Sequence, residues 1–392
     1  MKKIIILGAS VYQVPLIKKA KELGFYTIVI SIPGDYYGFQ ISDKNYFVDT
    51  RNKEEILKIS RDENIDGICT SGTDVAVITI GYINETLGLN GVHYDTALSS
   101  TNKYLMKKRF VENGVNTARF FKAGNHQELI DGYNKLNCEK AVVKIVDKSG
   151  SRGIKCVDKD TDFKQVFDEL MKETNVDYVI IEEFIKGIEI GVDLFMNNSE
   201  MIAYVPHNKM RETLNHIGIP SGHIAPYTPY YNEEDNILIQ SRKVVEALGI
   251  KEGAVNIDAF VLENGEVYII EAGSRAGGTG LPEVMSNYLG VDYYEMILRN
   301  ALNMPLPEKV EPKGRCTASL LLFSDKDGIY SGYELDEIED VTVSTDYRIG
   351  QRVEKITDGT SRIGQAIILA DSMKELEEKI NYIRNNIKIF VE

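Results

Sequence analysis

Cysteine is scarce in this 392-residue chain: Cys69, Cys138, Cys156 and Cys316 stand far apart and form no CxxC pair. A zinc or disulfide framework is not expected, and a reducing cytoplasm is the natural setting. The five histidines form no HExxH or similar pair, so they are expected at the surface or behind other site residues rather than on a metal. No run of 18 or more apolar residues occurs, so nothing is expected to span a membrane. The apolar start Ile4-Ile5-Ile6-Leu7 is too short for a signal-peptide core and reads as a strand. Basic residues are outnumbered, 45 against 59 acidic, for a net charge of −14. That argues against nucleic acid as a partner, because such partners select a basic face. One triphosphate needs only a few local cations, so a nucleotide ligand stays open. Two common nucleotide fingerprints are missing as well. No GxxxxGK[ST] occurs, so there is no Walker A loop. The first turn, Gly8-Ala9-Ser10, is not GxGxxG, and the second strand ends in Ser31 rather than an acid for a ribose, which disfavours a dinucleotide.

What is present is ordered alternation. Residues 1–98 give strand signals at Ile4–Leu7, Thr27–Ile30, Tyr46–Val48 and Gly67–Cys69, with helix periods at Val14–Leu23, Lys53–Arg61 and Asp74–Leu87. Strand–helix alternation predicts an α/β fold with a parallel sheet covered on both faces. From residue 99 the pattern changes. A helix over Asn102–Glu112 is expected to end at Gly114, followed by strands at Ala141–Val146 and Ile154–Val157 around the loop Asp147-Lys148-Ser149-Gly150-Ser151-Arg152-Gly153. Residues 178–206 read as successive strands. Ala254–Leu262 and Val267–Glu271 are joined by a turn containing Asn264-Gly265, a strong hairpin signal. Helices are expected at Pro282–Leu289 and Asp292–Leu302. The prolines 305, 307 and 312 mark a boundary before short strands and a last helix, Met373–Asn385. The expected units are 1–98, 99–310 with a subdomain at about 115–182, and 311–392.

Several of these residues carry chemistry. Lys144 sits in an apolar strand, where a lysine often just faces solvent. The glycine- and serine-rich loop after it favours another use, since glycines let backbone N–H groups approach phosphate oxygens. Asp258 and Glu271 lie on the two arms of the hairpin and are expected opposite each other. Two facing carboxylates repel unless a cation lies between them. Mg²⁺ is commonly held by one or two carboxylates plus the phosphates of its nucleotide. Glu182, Glu183 and Glu189 cluster around Phe184-Ile185-Lys186-Gly187, and Arg275 follows Glu271 in a second glycine loop, Ser274–Gly280.

Each feature is weak alone; their order is not. A lysine near residue 100, a strand lysine with a glycine loop, Glu182 and Glu189 seven apart, then Asp258…Glu271-x-x-x-Arg275 resembles the ATP-grasp superfamily over nearly the whole chain. The stretch His216–Gly222 followed by Asn256 to Arg275 is similar to the synthetase halves of carbamoyl-phosphate synthase. Asp358–Gly364 resembles the small terminal domain of biotin carboxylase and amino-acid ligases. The resemblance implies a Rossmann-like pre-ATP-grasp domain, an α+β ATP-grasp core with a mobile lid, and a small β-rich C-terminal domain. It implies ATP with Mg²⁺, or Mn²⁺ in its place. Lys103 and Lys144 match lysines on the ATP phosphates. Ser149, Gly150, Ser151 and Gly153 match the lid loop. Glu182 matches the acid near the adenine amino group, with the backbone of Phe184 and Ile185 along the adenine edge, and Glu189 matches the ribose acceptor. Asp258 and Glu271 match metal ligands, and Arg275 the arginine on the substrate carboxylate or acyl phosphate. One departure stands out. The family pattern Glu-x-Asn-x-Arg reads Glu271-Ala272-Gly273-Ser274-Arg275 here, so the asparagine ligand is missing, and Asn256 or water is expected to substitute.

The implied activity is an ADP-forming ligase that joins a small carboxylate, an amino acid foremost, to an amine through an acyl phosphate. A bicarbonate-activating, biotin-carboxylase-like enzyme and a non-catalytic ATP-binding regulator are the alternatives. The C-terminal region is expected to wall the acceptor site and to help form a homodimer.

Overall fold

The computed structural model describes residues 1–148, 152–214, 217–357 and 361–392. Ser149, Gly150, Ser151, His216 and the stretch 358–360 lie outside them. The first sheet is parallel, in the order Lys44–Phe47, Tyr26–Ser31, Lys3–Leu7, Gly67–Cys69. Its central strand shows why both faces are covered. Ile4 and Ile6 pack with Leu16, Ile17 and Ala20 of the helix Val14–Glu22. Ile5 and Leu7 point the other way, onto Ile56, Ile80 and Ile83 of the helices Lys53–Glu63 and Val77–Leu87. Successive strand residues face opposite sides, so an unbroken apolar run needs two covering layers. The loops that leave the C-terminal ends of these strands, at Gly8–Tyr12, Asp49–Arg51 and Gly72–Ala76, open onto one cavity. That edge is where open parallel sheets bind ligands.

The second sheet has eight antiparallel strands, in the order Val267–Gly273, Gly253–Val261, Ile188–Asn197, Glu200–Leu214, Ile217–Ala225, Cys316–Phe323, Arg362–Ala370, Val341–Thr345. It runs unbroken past the prolines 305–312, so the last three strands of the order extend the sheet of the first five. The helix Glu234–Leu248, absent from the sequence expectations, lays Ile237, Val244, Val245 and Leu248 onto this sheet. The helix Tyr94–Thr101, also unexpected, spans the boundary drawn at residue 98.

A third sheet, Phe120–Ala123, Val179–Glu183, Lys140–Ile145, Ile154–Asp158, is a separate antiparallel unit with its own core of Leu129, Val143, Val157, Leu170 and Ile181. A small three-stranded sheet near the C-terminus pairs Gly328–Glu334 with Arg352–Val353 and Lys388–Val391. Among the described residues no helix is long and apolar enough to cross a membrane, and all four cysteines are free.

Candidate active site

The site begins at a helix cap. The Asn102 side chain accepts from the N–H groups of Tyr104 and Leu105 at 3.0 and 3.1 Å, which starts the helix Lys103–Glu112. The cap sets Lys103 on the first turn and Lys107 one turn further along the same face. Lys103 Nζ lies 3.0 Å from Glu271 and also donates to the Lys148 carbonyl at 2.5 Å. Lys107 is fully buried, 2.6 Å from one oxygen of Glu182, and donates to Thr117 at 2.8 Å. Lys144 closes on the other oxygen of Glu182.

Burial pushes the Glu182 carboxyl up, but Lys107 and Lys144 outweigh it and hold the group below its ordinary range. Burial also lowers Lys107, and Glu182 offsets this only in part. The acid expected beside the adenine amino group is thus engaged by two lysines, and its visible role is to hold Lys144 in the cleft. Lys103 and Lys144 thus stand in the cleft with Glu271 and Glu182 as acid partners, two cations placed to meet phosphate.

The hairpin forms as its turn demands. Gly265 takes φ +78°, and Leu262 N–H donates to the Glu266 carbonyl at 2.9 Å. Asp258 stands in register opposite Glu271, with a β-bulge just beyond Asp258. Bulges re-aim side chains beside functional sites. Glu271 is pushed up by burial, yet Lys103 first and then Lys144 and Arg275 bring it to about 2. Asp258 is raised, by burial and by the charges of Glu189 and Glu271, although Lys209 Nζ lies 2.6 Å away. Lys209 also reaches Glu189 at 2.9 Å, and Arg211 closes on the second Glu189 oxygen. Glu189 is therefore held ionised below its ordinary range despite burial, by Lys209 and then Arg211.

Arg275 is gripped from the N-terminal unit. Asp74 accepts from its Nε at 2.8 Å and its Nη2 at 2.9 Å, and Asn256 Oδ1 accepts from Nη1 at 3.1 Å. Asn256 Nδ2 in turn donates to Asp193 at 2.9 Å. The residue expected to stand in as a metal ligand is thus spent on orienting the arginine. The missing asparagine has a spatial explanation. A Cβ at Gly273 would lie 3.1 Å from Asp74 Oδ1 and 3.3 Å from Arg275 Cζ. A side chain at 273 would press on Asp74 and Arg275, which would have to give by a few tenths of an ångström.

One of the expected loop positions can be placed. Gly153 takes φ +65°, and a Cβ there would come 2.1 Å from Ile145 Cδ1, so glycine is required where the loop rejoins the sheet. Ser149, Gly150 and Ser151 lie outside the described residues. Phe184 is largely exposed, and its N–H donates to the Lys140 carbonyl at 3.2 Å. Phe184, Ile185, Val142, Ile154, Tyr268 and Ile269 help wall a cavity of about 240 Å³ that ends at Lys103, Lys144 and Glu271. Its apolar walls and cationic end suit a purine with phosphates. A second cavity of about 390 Å³ lies between Arg51, Asp74, Lys148 and Glu271, and a third of about 640 Å³ reaches from Glu271 and Asp258 to the loops of the parallel sheet. Glu271 and Arg152 border all three.

Asp258 and Glu271 are the carboxylates that fit Mg²⁺. Among the described residues no group of three or more His, Cys, Asp or Glu side chains is arranged for a metal. A cation held by these two acids would draw its remaining oxygens from phosphate and water. Asp258 and Glu271 already draw Lys209 and Lys103, so a cation there would meet acids that now pair with lysines.

Sequence reasoning missed Asp74, Lys107, Lys209, Asp193 and two histidines. Lys107 carried a signal, its spacing of four from Lys103. His207 and His223 are buried, the second of the two placements expected for the histidines.

Residues 138–283 match the family model described as ATP-grasp domain. The phosphoribosylamine–glycine ligase of Fusobacterium nucleatum is 22% identical over 427 residues, covering 98% of each chain. The crystal structure of phosphoribosylglycinamide synthetase from Anaerococcus prevotii matches over 100% of both chains, with a TM-score of 0.83 and 28% identity. That of L-amino acid ligase from Bacillus licheniformis matches over 100% of this chain and 99% of that one, with a TM-score of 0.83 and 17% identity.

Proposed function

We propose that this chain, an ADP-forming ligase carrying an ATP-grasp domain, activates a small carboxylate such as an amino acid as an acyl phosphate and passes it to an amine. The observation that carries this reading is the position of Glu271. It borders the apolar, cation-ended cavity suited to ATP and also the larger cavity that holds Arg275 and Asp258. Phosphate donor and acceptor would meet at that wall.

The steps follow from the residues. A carboxylate oxygen of the substrate attacks the γ-phosphorus in line, the bond to the β-phosphate oxygen breaks, and ADP leaves. Lys103 and Lys144 neutralise the charge spread over the transferring group, and Arg275 aligns the carboxylate. Positioning and charge compensation are the main protein contributions to such a transfer. Mg²⁺ on Asp258 and Glu271 would supply further charge neutralisation on the phosphates. The amine nitrogen then attacks the acyl carbon, phosphate leaves, and the nitrogen loses a proton. Water must be kept from the acyl phosphate.

The test is a pairwise screen of the twenty amino acids, each as acid and as amine, with Mg–ATP. Phosphate release and the mass of the product are the readouts. Release that needs both partners, with an amide product, is expected. Release driven by bicarbonate alone would replace this reading with a carboxylase.

A further inference from the structure

Behind Arg275 a string of buried polar side chains crosses three neighbouring strands and ends at the wall of the larger cavity. Asp193 lies 3.2 Å from His207 Nε2, His207 Nδ1 lies 3.3 Å from His223 Nδ1, and His223 Nε2 lies 2.7 Å from Thr279 Oγ1. Asp193, His207 and His223 are 1%, 0% and 4% exposed. The fold makes room for this string. Gly191 is paired opposite His207, and a Cβ there would come 2.1 Å from His207 Cε1. Thr279 is as unusual. It is β-branched, yet takes φ +54° between Gly278 and Gly280. A left-handed β-branched residue is strained, and such strain collects at ligand sites.

The string has a direction. With Asp193 as the acceptor, His207 Nε2 carries the proton between them. Where His207 carries that one proton, its Nδ1 is an acceptor and takes the proton on His223 Nδ1. His223 Nε2 is then bare and takes the Thr279 hydroxyl proton. Asn256 Nδ2 and the Gly277 N–H also donate to Asp193, at 2.9 and 3.4 Å, which agrees with its accepting at every contact. Burial above all holds the His223 imidazole well below its ordinary range, so it stays neutral and one of its nitrogens is bare.

We infer that Thr279 presents an acceptor-only oxygen to the cavity and receives an N–H of the amine substrate, with His223, His207 and Asp193 as its positioning residues. This rests on the ligase reading. The cavity sorts its ligands by the same logic. Arg275 attracts a carboxylate, whereas on the other side of the same space Thr279 offers lone pairs, and Asp258 and Glu189 share Lys209 between them. An amine or ammonium group matches that side, and a second carboxylate would be repelled.

Two measurements on the full chain test this. The first is ¹⁵N NMR of histidine-labelled protein, with His207→Gln and His223→Gln for assignment. His223 is expected with Nδ1 protonated and Nε2 bare, and methylamine should shift its Nε2 signal in the wild type but not in Thr279→Val. A protonated His223 Nε2, or an equal shift in Thr279→Val, overturns the inference. The second is kinetic, with methylamine as the nucleophile and the acid found by the phosphate-release screen. Thr279→Val should raise the methylamine KM at least tenfold and the ATP KM less than twofold, and Thr279→Ser should recover most of the loss. An unchanged methylamine KM in Thr279→Val also overturns it. If no acid supports phosphate release in the wild type, the ligase reading fails, and the NMR titration alone decides whether Thr279 binds an amine.

Discussion

Asp74 and Arg275, 201 residues apart in the chain, form a two-pronged ion pair, Nε to Oδ1 at 2.8 Å and Nη2 to Oδ2 at 2.9 Å. One partner follows the last strand of the parallel sheet, and the other opens the glycine loop beside the hairpin. The fork geometry fixes the plane of the guanidinium, which a single contact would leave free to turn. Arg275 is buried among carboxylates, and Asp74 contributes most to keeping it charged against that burial.

Gly273→Asn restores the residue of the family pattern, yet it should lower turnover about tenfold. The new Cβ would start 3.1 Å from Asp74 Oδ1, and overpacking of this kind costs about 1–3 kcal/mol. In an Asp74→Ala background the same change should cost less, with a coupling of about 1 kcal/mol. A double-mutant cycle on ADP formation reads this out. Additive effects would show that Gly273 and Asp74 do not compete for space.

Glu271→Gln should lower turnover by about 10²-fold or more, as for loss of a well-placed charge at a transition state. It should also change the acid profile of stability. The Glu271 carboxyl stands at about 2 in the fold against an ordinary 4.5. A depressed folded value means that its contribution is complete above about pH 4.5 and is lost as the pH falls toward 2. Urea unfolding from pH 7 down to 2.5 should show wild type and Glu271→Gln converging. A gap that stays constant across that range would mean that Lys103 does not stabilise the charged acid.

Lys107 and Lys144 share Glu182 but should fail differently. Lys144→Ala removes a cleft charge and should lower turnover about 10²-fold with the fold intact. Lys107→Met removes the fully buried partner, and breaking such a pair costs about 3–5 kcal/mol. Thermal melts and ADP formation, measured on both, separate the roles. A Lys107→Met protein that melts like the wild type would count against the buried pair.

Local features of this site were legible because they follow from local rules. Asn264-Gly265 and an alternation of two place Asp258 opposite Glu271, and the structure has them in register despite the bulge. The parallel sheet follows from the strand–helix alternation, and the strand Lys140–Ile145 lies within a residue of its expected span. What escaped depends on distant partners. Lys107 sits beside Lys108 in a helix with little amphipathic contrast, so it reads as surface charge until Glu182 arrives from another sheet. Asp74 carries no motif; only the docking of two units gives it Arg275. His207 and His223 lie on paired strands, and what buries them comes from elsewhere in the chain, Gly191 and Asp193 against His207 and Thr279 against His223.

Glu189→Ala should raise the ATP KM more than it lowers kcat, since a ribose contact is made about equally in ground and transition states. Lys209 and Arg211 both lean on this acid, so Glu189→Gln should give an intermediate KM. Steady-state kinetics with ATP varied would decide, and a kcat loss at unchanged KM would remove Glu189 from the ribose.

The unbroken eight-stranded sheet limits how the chain can be divided. Cys316–Phe323 pairs with Ile217–Ala225 through Thr317–Leu320 opposite Gly222–Ala225. A protein cut at Pro312 would leave the backbone donors and acceptors of that strand bare, as an open template for another chain. Gly222 shows how close the fit is, since a Cβ there would come 1.9 Å from the Ser319 carbonyl oxygen. The last eighty or so residues therefore act as a selvedge on the woven sheet: trimmed away, they would leave a fragment prone to self-association rather than a smaller enzyme.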